Sequence, residues 1–173
     1  INGYTIALAA LLLPIGAIGD RWGRKQVLMS GLVLFVLANV AAAFSGSVNQ
    51  LLVARVVAGA AAAMIMPVTL SVITSTFPEE DRDRAIGVWA GFAGAGGILG
   101  LLSSSIVVDN FTWPWVFLAP TVLALAAFAM TAVFVPRSRE DHQGRFDTLG
   151  SFLSAFAVGG LVLAVHAGPE AGW

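Results

Sequence analysis

The residues able to do chemistry are few, and they fall in two places. Gly16-Ala-Ile-Gly-Asp20-Arg21-Trp-Gly23-Arg24-Lys25 puts four charges into six residues, between two apolar runs. Charges so dense do not sit in hydrocarbon, so the stretch lies at a membrane surface. Its shortness predicts a tight charged hairpin joining two membrane helices. The other place is Arg55, a lone cation inside an apolar run. It lies about five residues, or ~7 Å, past the outer start of its helix. Either it snorkels to the headgroups, or it faces a polar cavity, where leaving it unpaired costs at least ~2.5 kcal/mol. Asn49 and Gln50 stand within hydrogen-bonding reach, and no acid of this chain lies at its depth. His142 and His166 are too far apart for one site. No nucleophile–base pair, P-loop or metal-ligand spacing occurs, and there is no Cys. Catalytic, cofactor-binding and metal-ligating residues are therefore not expected, nor is an enzyme.

What positions these residues is a set of membrane helices. The chain is 58% hydrophobic and only 11% charged, with a mean hydropathy of +0.87. Soluble proteins carry about 25% charged residues. Its apolar runs recur at lengths near the ~20 residues that cross a bilayer as helix. Six segments are expected, near 1–18, 26–44, 50–75, 86–108, 115–135 and 149–165. They are continuously apolar and rich in Ala, Leu and Gly, which argues against strands. The chain opens on Ile1 within such a run, without Met or a cleavable signal, and closes on a polar turn at Trp173. It is expected to be a piece of a longer protein.

Basic residues orient the segments. Eight of the nine Lys and Arg fall in the linkers 19–25, 76–85 and 136–148, and none in 45–49, 109–114 or the tail 166–173. The basic side faces the cytoplasm, which predicts a multi-pass plasma-membrane (bacterial inner-membrane) protein with Trp113 and Trp115 at the outer interface. Two segments look built for close approach. One has Gly87, Gly91, Gly96 and Gly100 at small-xxx-small spacing; the other has Ala58-Gly59 running to Ala63. Generic packing and a place on a substrate path both fit these small residues. Ser103, Ser104 and Ser105 either bond their own helix or line water. Pro14 and Pro67 fall within apolar runs and are candidates for kinks.

With these residues in view, the chain resembles the major facilitator superfamily. Gly16, Asp20, Arg21, Gly23, Arg24 and Lys25 match its signature G-x-x-x-D-R-x-G-R-K, between the second and third helices. Arg55 and Gly59 match a second signature, R-x-x-x-G, flanked by Leu51-Leu-Val-Ala and Ala62-Ala63-Met-Ile-Met-Pro67 as in the fourteen-helix drug:proton antiporters. Ala58 stands where that signature often has Gln. In the fifth helix, Gly100-Leu101 and Ser104-Ser105 stand where those antiporters carry Gly-Pro and Gly-Gly. The resemblance runs from the second helix to the seventh. It implies an all-α membrane protein, part of the N-terminal half of the bundle. Residues 1–135 would hold helices two to six, 136–148 the cytoplasmic linker, and 149–173 the first additional transmembrane helix with its outer turn.

The resemblance also implies function. Two helical halves built of inverted repeats rock about a central site. The charged stretch would act as a conformational latch, with Asp20 facing a helix N-terminus of the other half. Arg24 would pair with an acid among Glu79, Glu80 and Asp81; a solvated charge run, worth little, is the alternative. Arg55 and Gly59 would serve proton coupling, with Arg55 tuning an acid in a helix outside this chain. The implied activity is secondary active export of small lipophilic or cationic compounds in exchange for protons, with the proton gradient as energy source and no cofactor. Expected partners are the small-molecule substrate and the bilayer, not nucleic acid. Proton-coupled metabolite uptake on the same fold, a non-transporting membrane sensor and a gene remnant stay open as alternatives.

Overall fold

The computed structural model describes residues 2–136 and 148–167, leaving aside the side chains of residues 2, 13, 16–21, 148, 151, 152, 166 and 167. Most of the linker 136–148, with Arg137, Arg139, His142 and Arg145, lies outside the described residues, as does 168–173. The described residues form helices α1 (Asn2–Trp22), α2 (Arg24–Ala43), α3 (Val48–Thr76), α4 (Glu79–Asn110), α5 (Trp115–Phe134) and α6 (Thr148–Ala167). The six apolar segments thus become six helices. In hydrocarbon no water satisfies the backbone, and a helix pairs its own N–H and C=O groups. Helices α2, α3, α4 and α5 are each long and apolar enough to cross a membrane.

The boundaries differ from expectation where charges lie. The predicted hairpin is not a loop. Helix α1 continues through the charged residues to Trp22, and α2 resumes at Arg24. Gly23 alone turns the chain, at φ 112° and ψ 119°. Charges suit a helix well once it has left the hydrocarbon, so polarity misplaced the break. Because that backbone region is essentially reserved for glycine, Gly23→Ala should cost about 1–3 kcal/mol. Thermal unfolding in detergent should show a lower Tm for the variant; an unchanged Tm would mean that the turn relaxes without strain.

The linker 76–85 likewise shrinks to Phe77 and Pro78. Phe77, ahead of proline, is held extended at φ −86° and ψ 137°, where α conformation is disfavoured. Pro78 then begins α4, and Glu79, Glu80 and Asp81 fill its first turn, the end of a helix that favours carboxylates. At 32 residues, α4 is about 48 Å long, against ~30 Å of hydrocarbon, so its charged first turns stand beyond the membrane. Ser47 caps α3 by accepting from the backbone N–H of Gln50 (3.3 Å), while Gln50 Oε1 accepts from the N–H of Gly46 (2.9 Å).

Helix α3 is the centre of the bundle and packs on α1 and α2. Helix α5 lies on α2, α6 on α1, and α4 touches only the margins of α3 and α5. A cluster of Val27, Leu28, Leu32, Val68 and Ala124 ties α2, α3 and α5 together. Apart from Val68, the buried face of α3 is made of Ala54, Ala58, Gly59, Ala61, Ala62 and Ala63, so neighbouring backbones can approach. A Cβ built on Gly31 of α2 would lie 2.8 Å from Cβ of Met64, and one on Gly159 of α6 would lie 2.9 Å from Cβ of Ala10. Pro14 and Pro67 lie inside α1 and α3.

Candidate functional site: an arginine between two aromatic rings

Helix α3 starts at Val48, which sets Arg55 seven residues, about 10 Å, along it. Its side chain is half-buried. The guanidinium Cζ lies 4.5 Å from the centroid of the Tyr4 ring of α1 and 5.6 Å from that of the Phe117 ring of α5. Both fall inside the ~6 Å range of cation–π attraction, which strengthens as water is removed. Among the described residues Arg55 has no ion pair. The hydrogen bonds foreseen from Asn49 and Gln50 are not formed, because the Gln50 amide is spent on capping α3.

Arg55 lines a cavity of about 700 Å³ with Tyr4, Asn39, Ser104, Phe117 and Pro120 among its walls. The cavity is more aromatic and aliphatic than the polar one foreseen. Its polar wall includes Asn39, 1% exposed, whose Nδ2 donates to the Phe35 carbonyl (2.8 Å). Ser104 is the member of the serine run that reaches the cavity; Ser103 donates to the carbonyl of Gly100 (3.2 Å). Phe117 is held edge-on by Trp113, centroids 6.1 Å apart at 81°.

Gly59, one turn along from Arg55, sits against the backbone of Tyr4. A Cβ there would collide with the Tyr4 carbonyl oxygen and lie 3.0 Å from its Cα. The mate of this contact is Gly3, where a Cβ would lie 2.9 Å from Val56 Cγ2. The R-x-x-x-G spacing is therefore two parts of one contact: the glycine lets α1 in, and the arginine takes the ring that α1 brings. Sequence reasoning had both residues of the signature but missed Tyr4, Phe117 and Asn39. The available signal was that Tyr4, the chain's single tyrosine, falls in the outer part of its helix as Arg55 does.

At the cytoplasmic side, Arg24 is buried at 7% exposure. Glu79, Glu80 and Asp81 are exposed, on a helix that makes no close contact with α2. Basic residues in the first turn of a helix oppose its dipole, so Arg24 and Lys25 do not serve α2 itself. Lys25 Nζ donates to the carbonyl of Ala132 (2.8 Å), among the last carbonyls of α5. Those groups lack intrahelical partners and favour a cation, and α5 has no basic residue in its last turn. The bond clasps the α1–α2 turn to α5. Being largely exposed, it is worth at most about 1 kcal/mol, so Lys25→Met should lower Tm by only a few degrees; a large collapse would reveal a deeper role. The side chains of Asp20 and Arg21, and the surroundings of Gly16, lie outside the described residues.

The glycines of α4 are not brought to anything. No described atom lies within 4 Å of a Cβ built on Gly87, Gly91, Gly96 or Gly100, and α4 buries no residue. Among the described residues, nothing approaches them closely. Among the described residues no cluster of His, Cys, Asp or Glu is suited to a metal ion.

An all-helical bundle with a charged inner turn and a lone arginine at a cavity wall defines a multi-pass protein of the inner membrane. The chain belongs to the Major Facilitator Superfamily, whose family model matches residues 1–147. It is 44% identical over 138 residues to the methyl viologen resistance protein SmvA of Salmonella typhimurium, covering 79% of this chain and 28% of that protein. It is 36% identical over 166 residues to the multidrug efflux pump LfrA of Mycolicibacterium smegmatis, covering 95% and 33%. With the tetracenomycin C resistance and export protein of Streptomyces glaucescens the identity is 33% over 173 residues, covering 99% and 32%. The chain thus spans about a third of the length of the relatives it matches. The family is one of transporters rather than enzymes.

Proposed function

We propose that the complete protein exports small lipophilic or cationic compounds across the inner membrane in exchange for protons, using the proton gradient and no cofactor. The observation that carries this reading is Arg55 itself. It is a cation held at a cavity wall, on the R-x-x-x-G stretch of a family whose relatives here include a methyl viologen resistance protein and a multidrug efflux pump. A guanidinium fixed there lowers the pKa of a carboxylate brought within ~4–6 Å, and rocking of the two halves sets whether the carboxylate comes so close.

In the same reading, Gly16, Asp20, Arg21, Gly23, Arg24 and Lys25 form the cytoplasmic latch. The single-glycine turn and the Lys25 clasp support this, since together they tie the charged stretch to the end of α5. Gly87, Gly91, Gly96 and Gly100 pack against the remainder of the transporter, in keeping with the absence of a neighbour for them among the described residues. Residues 1–135 are helices two to six, 136–148 the linker, and 149–173 the first additional helix, consistent with the packing of α6 on the outside of α1. The test is dye accumulation in a pump-deficient bacterium expressing the complete gene. Cells should hold less of a cationic dye than controls, and a protonophore should abolish the difference. Equal accumulation with the protein in the membrane would point to uptake of a metabolite or to no transport.

A further inference from the structure

Arg55 raises a problem that its coupling role does not solve. A side chain with four rotatable bonds, in a cavity and with no ion pair among the described residues, needs something to hold its charge in one place. A carboxylate's response depends steeply on distance to a cation, so a wandering guanidinium would set no definite proton affinity. What lies against it is a pair of rings, Tyr4 from α1 and Phe117 from α5, and both line the same cavity.

Neither ring is free to drift. Tyr4 is carried at the point where α1 and α3 come closest, with its backbone against Gly59 and Gly3 against Val56. Phe117 is braced edge-to-face by Trp113 at the outer turn, and its carbonyl accepts from the Thr121 hydroxyl (2.9 Å). Three helices thus converge on one cation. We infer that Tyr4 and Phe117 are positioning residues, an aromatic clamp that fixes the Arg55 guanidinium at the cavity wall for proton coupling. Because α1, α3 and α5 each contribute one member, relative movement of these helices loosens or tightens the clamp, and so moves the charge. The aromatic face, not the tyrosine hydroxyl, does the holding.

This inference rests on the coupling role proposed for Arg55, and the experiment separates the two. The complete transporter is reconstituted in proteoliposomes, and pH-gradient-driven movement of ethidium is followed for wild type, Arg55→Ala, Tyr4→Leu, Tyr4→Phe and Phe117→Leu. Each protein is first shown monodisperse by gel filtration. A clamp predicts that Tyr4→Leu lowers the maximal rate at least about tenfold with KM moving less than about twofold, as expected when an interaction needed for the reactive step rather than for substrate binding is lost. Tyr4→Phe, which keeps the ring, should recover at least half of the wild-type rate, and Phe117→Leu should fall between the two, since its ring is the more distant. Loss in Arg55→Ala with full activity in Tyr4→Leu and Phe117→Leu would overturn the clamp and leave the coupling role standing. Tyr4→Phe as inactive as Tyr4→Leu would also overturn it, because the hydroxyl would then be the working group. Full coupled activity in Arg55→Ala would overturn the coupling role and the clamp with it. Should Tyr4→Leu not be monodisperse, Tyr4→Phe and Phe117→Leu decide the question alone.

Discussion

Arg55→Ala should abolish gradient-driven transport by the complete protein while leaving it inserted and folded. In the coupling role proposed above, the size of the effect follows from what the cation would do to a carboxylate brought near it from outside this chain. Within ~4–6 Å it lowers the acid's pKa by about 1–3 units, so its removal changes proton affinity by roughly tenfold to a thousandfold. An acid that keeps its proton at working pH no longer exchanges it, and the cycle stalls. Stability should change little, since the guanidinium is half-buried and has no ion pair among the described residues to orphan. Arg55→Lys should be nearly as inactive, because a compact, strongly hydrated ammonium does not stack on aromatic faces as the planar guanidinium does. The measurement is initial rate against pH gradient at matched protein density. A variant that pumps as well as wild type would remove Arg55 from the coupling path.

The second large effect is expected at Gly59. An added Cβ meets the backbone of Tyr4, its carbonyl oxygen first and its Cα at 3.0 Å. Backbone cannot swing aside as a flexible side chain can, so α1 and α3 must part. Overpacking of this kind costs about 1–3 kcal/mol for a small addition. Gly59→Ala also gains about 1 kcal/mol of helix propensity, which offsets part of that cost. Gly59→Val carries the clash without so much compensation and should fold poorly. Gly87→Ala is the control, because no described atom lies within 4 Å of its added Cβ. Fluorescence-detected gel filtration should show Gly59→Val aggregated or depleted and Gly87→Ala close to wild type. A monodisperse Gly59→Val at wild-type yield would mean that the two helices are not locked at that point.

The helices were legible because a bilayer leaves the chain few options. Runs of about 20 apolar residues become spanning helices whatever their finer sequence, and the basic residues order their direction. The charged turn was legible as a place but not as a shape. Asp20 and Arg21 read as loop residues by polarity, yet a helix outside hydrocarbon tolerates them, and only the backbone angle of Gly23 marks the true break. The start of α4 was misjudged for the same reason: Glu79, Glu80 and Asp81 looked like linker but favour the first turn of a helix.

The site was half legible. Arg55 stood out because a charge inside an apolar run is costly, and Gly59 through its place in a signature. Their shared contact with Tyr4 did not stand out, since a single aromatic residue in an apolar helix reads as ordinary lipid-facing or core surface. Which ring meets which cation depends on how α1 crosses α3, and that crossing is set by Gly3 and Gly59 together. The four-residue glycine spacing of α4 shows what a pattern leaves open. Spacing permits a close approach but does not name the neighbour, and among the described residues none lies within 4 Å.

The most direct test of proton-coupled export uses everted membrane vesicles carrying the complete protein, energised to a stable pH gradient that is followed with a quenched dye. Adding a lipophilic cation such as ethidium should collapse part of the gradient in wild-type vesicles, and Arg55→Ala vesicles should not respond. A wild-type gradient that stays intact across a panel of cationic compounds, with the protein shown to be inserted and folded, would contradict export by proton exchange.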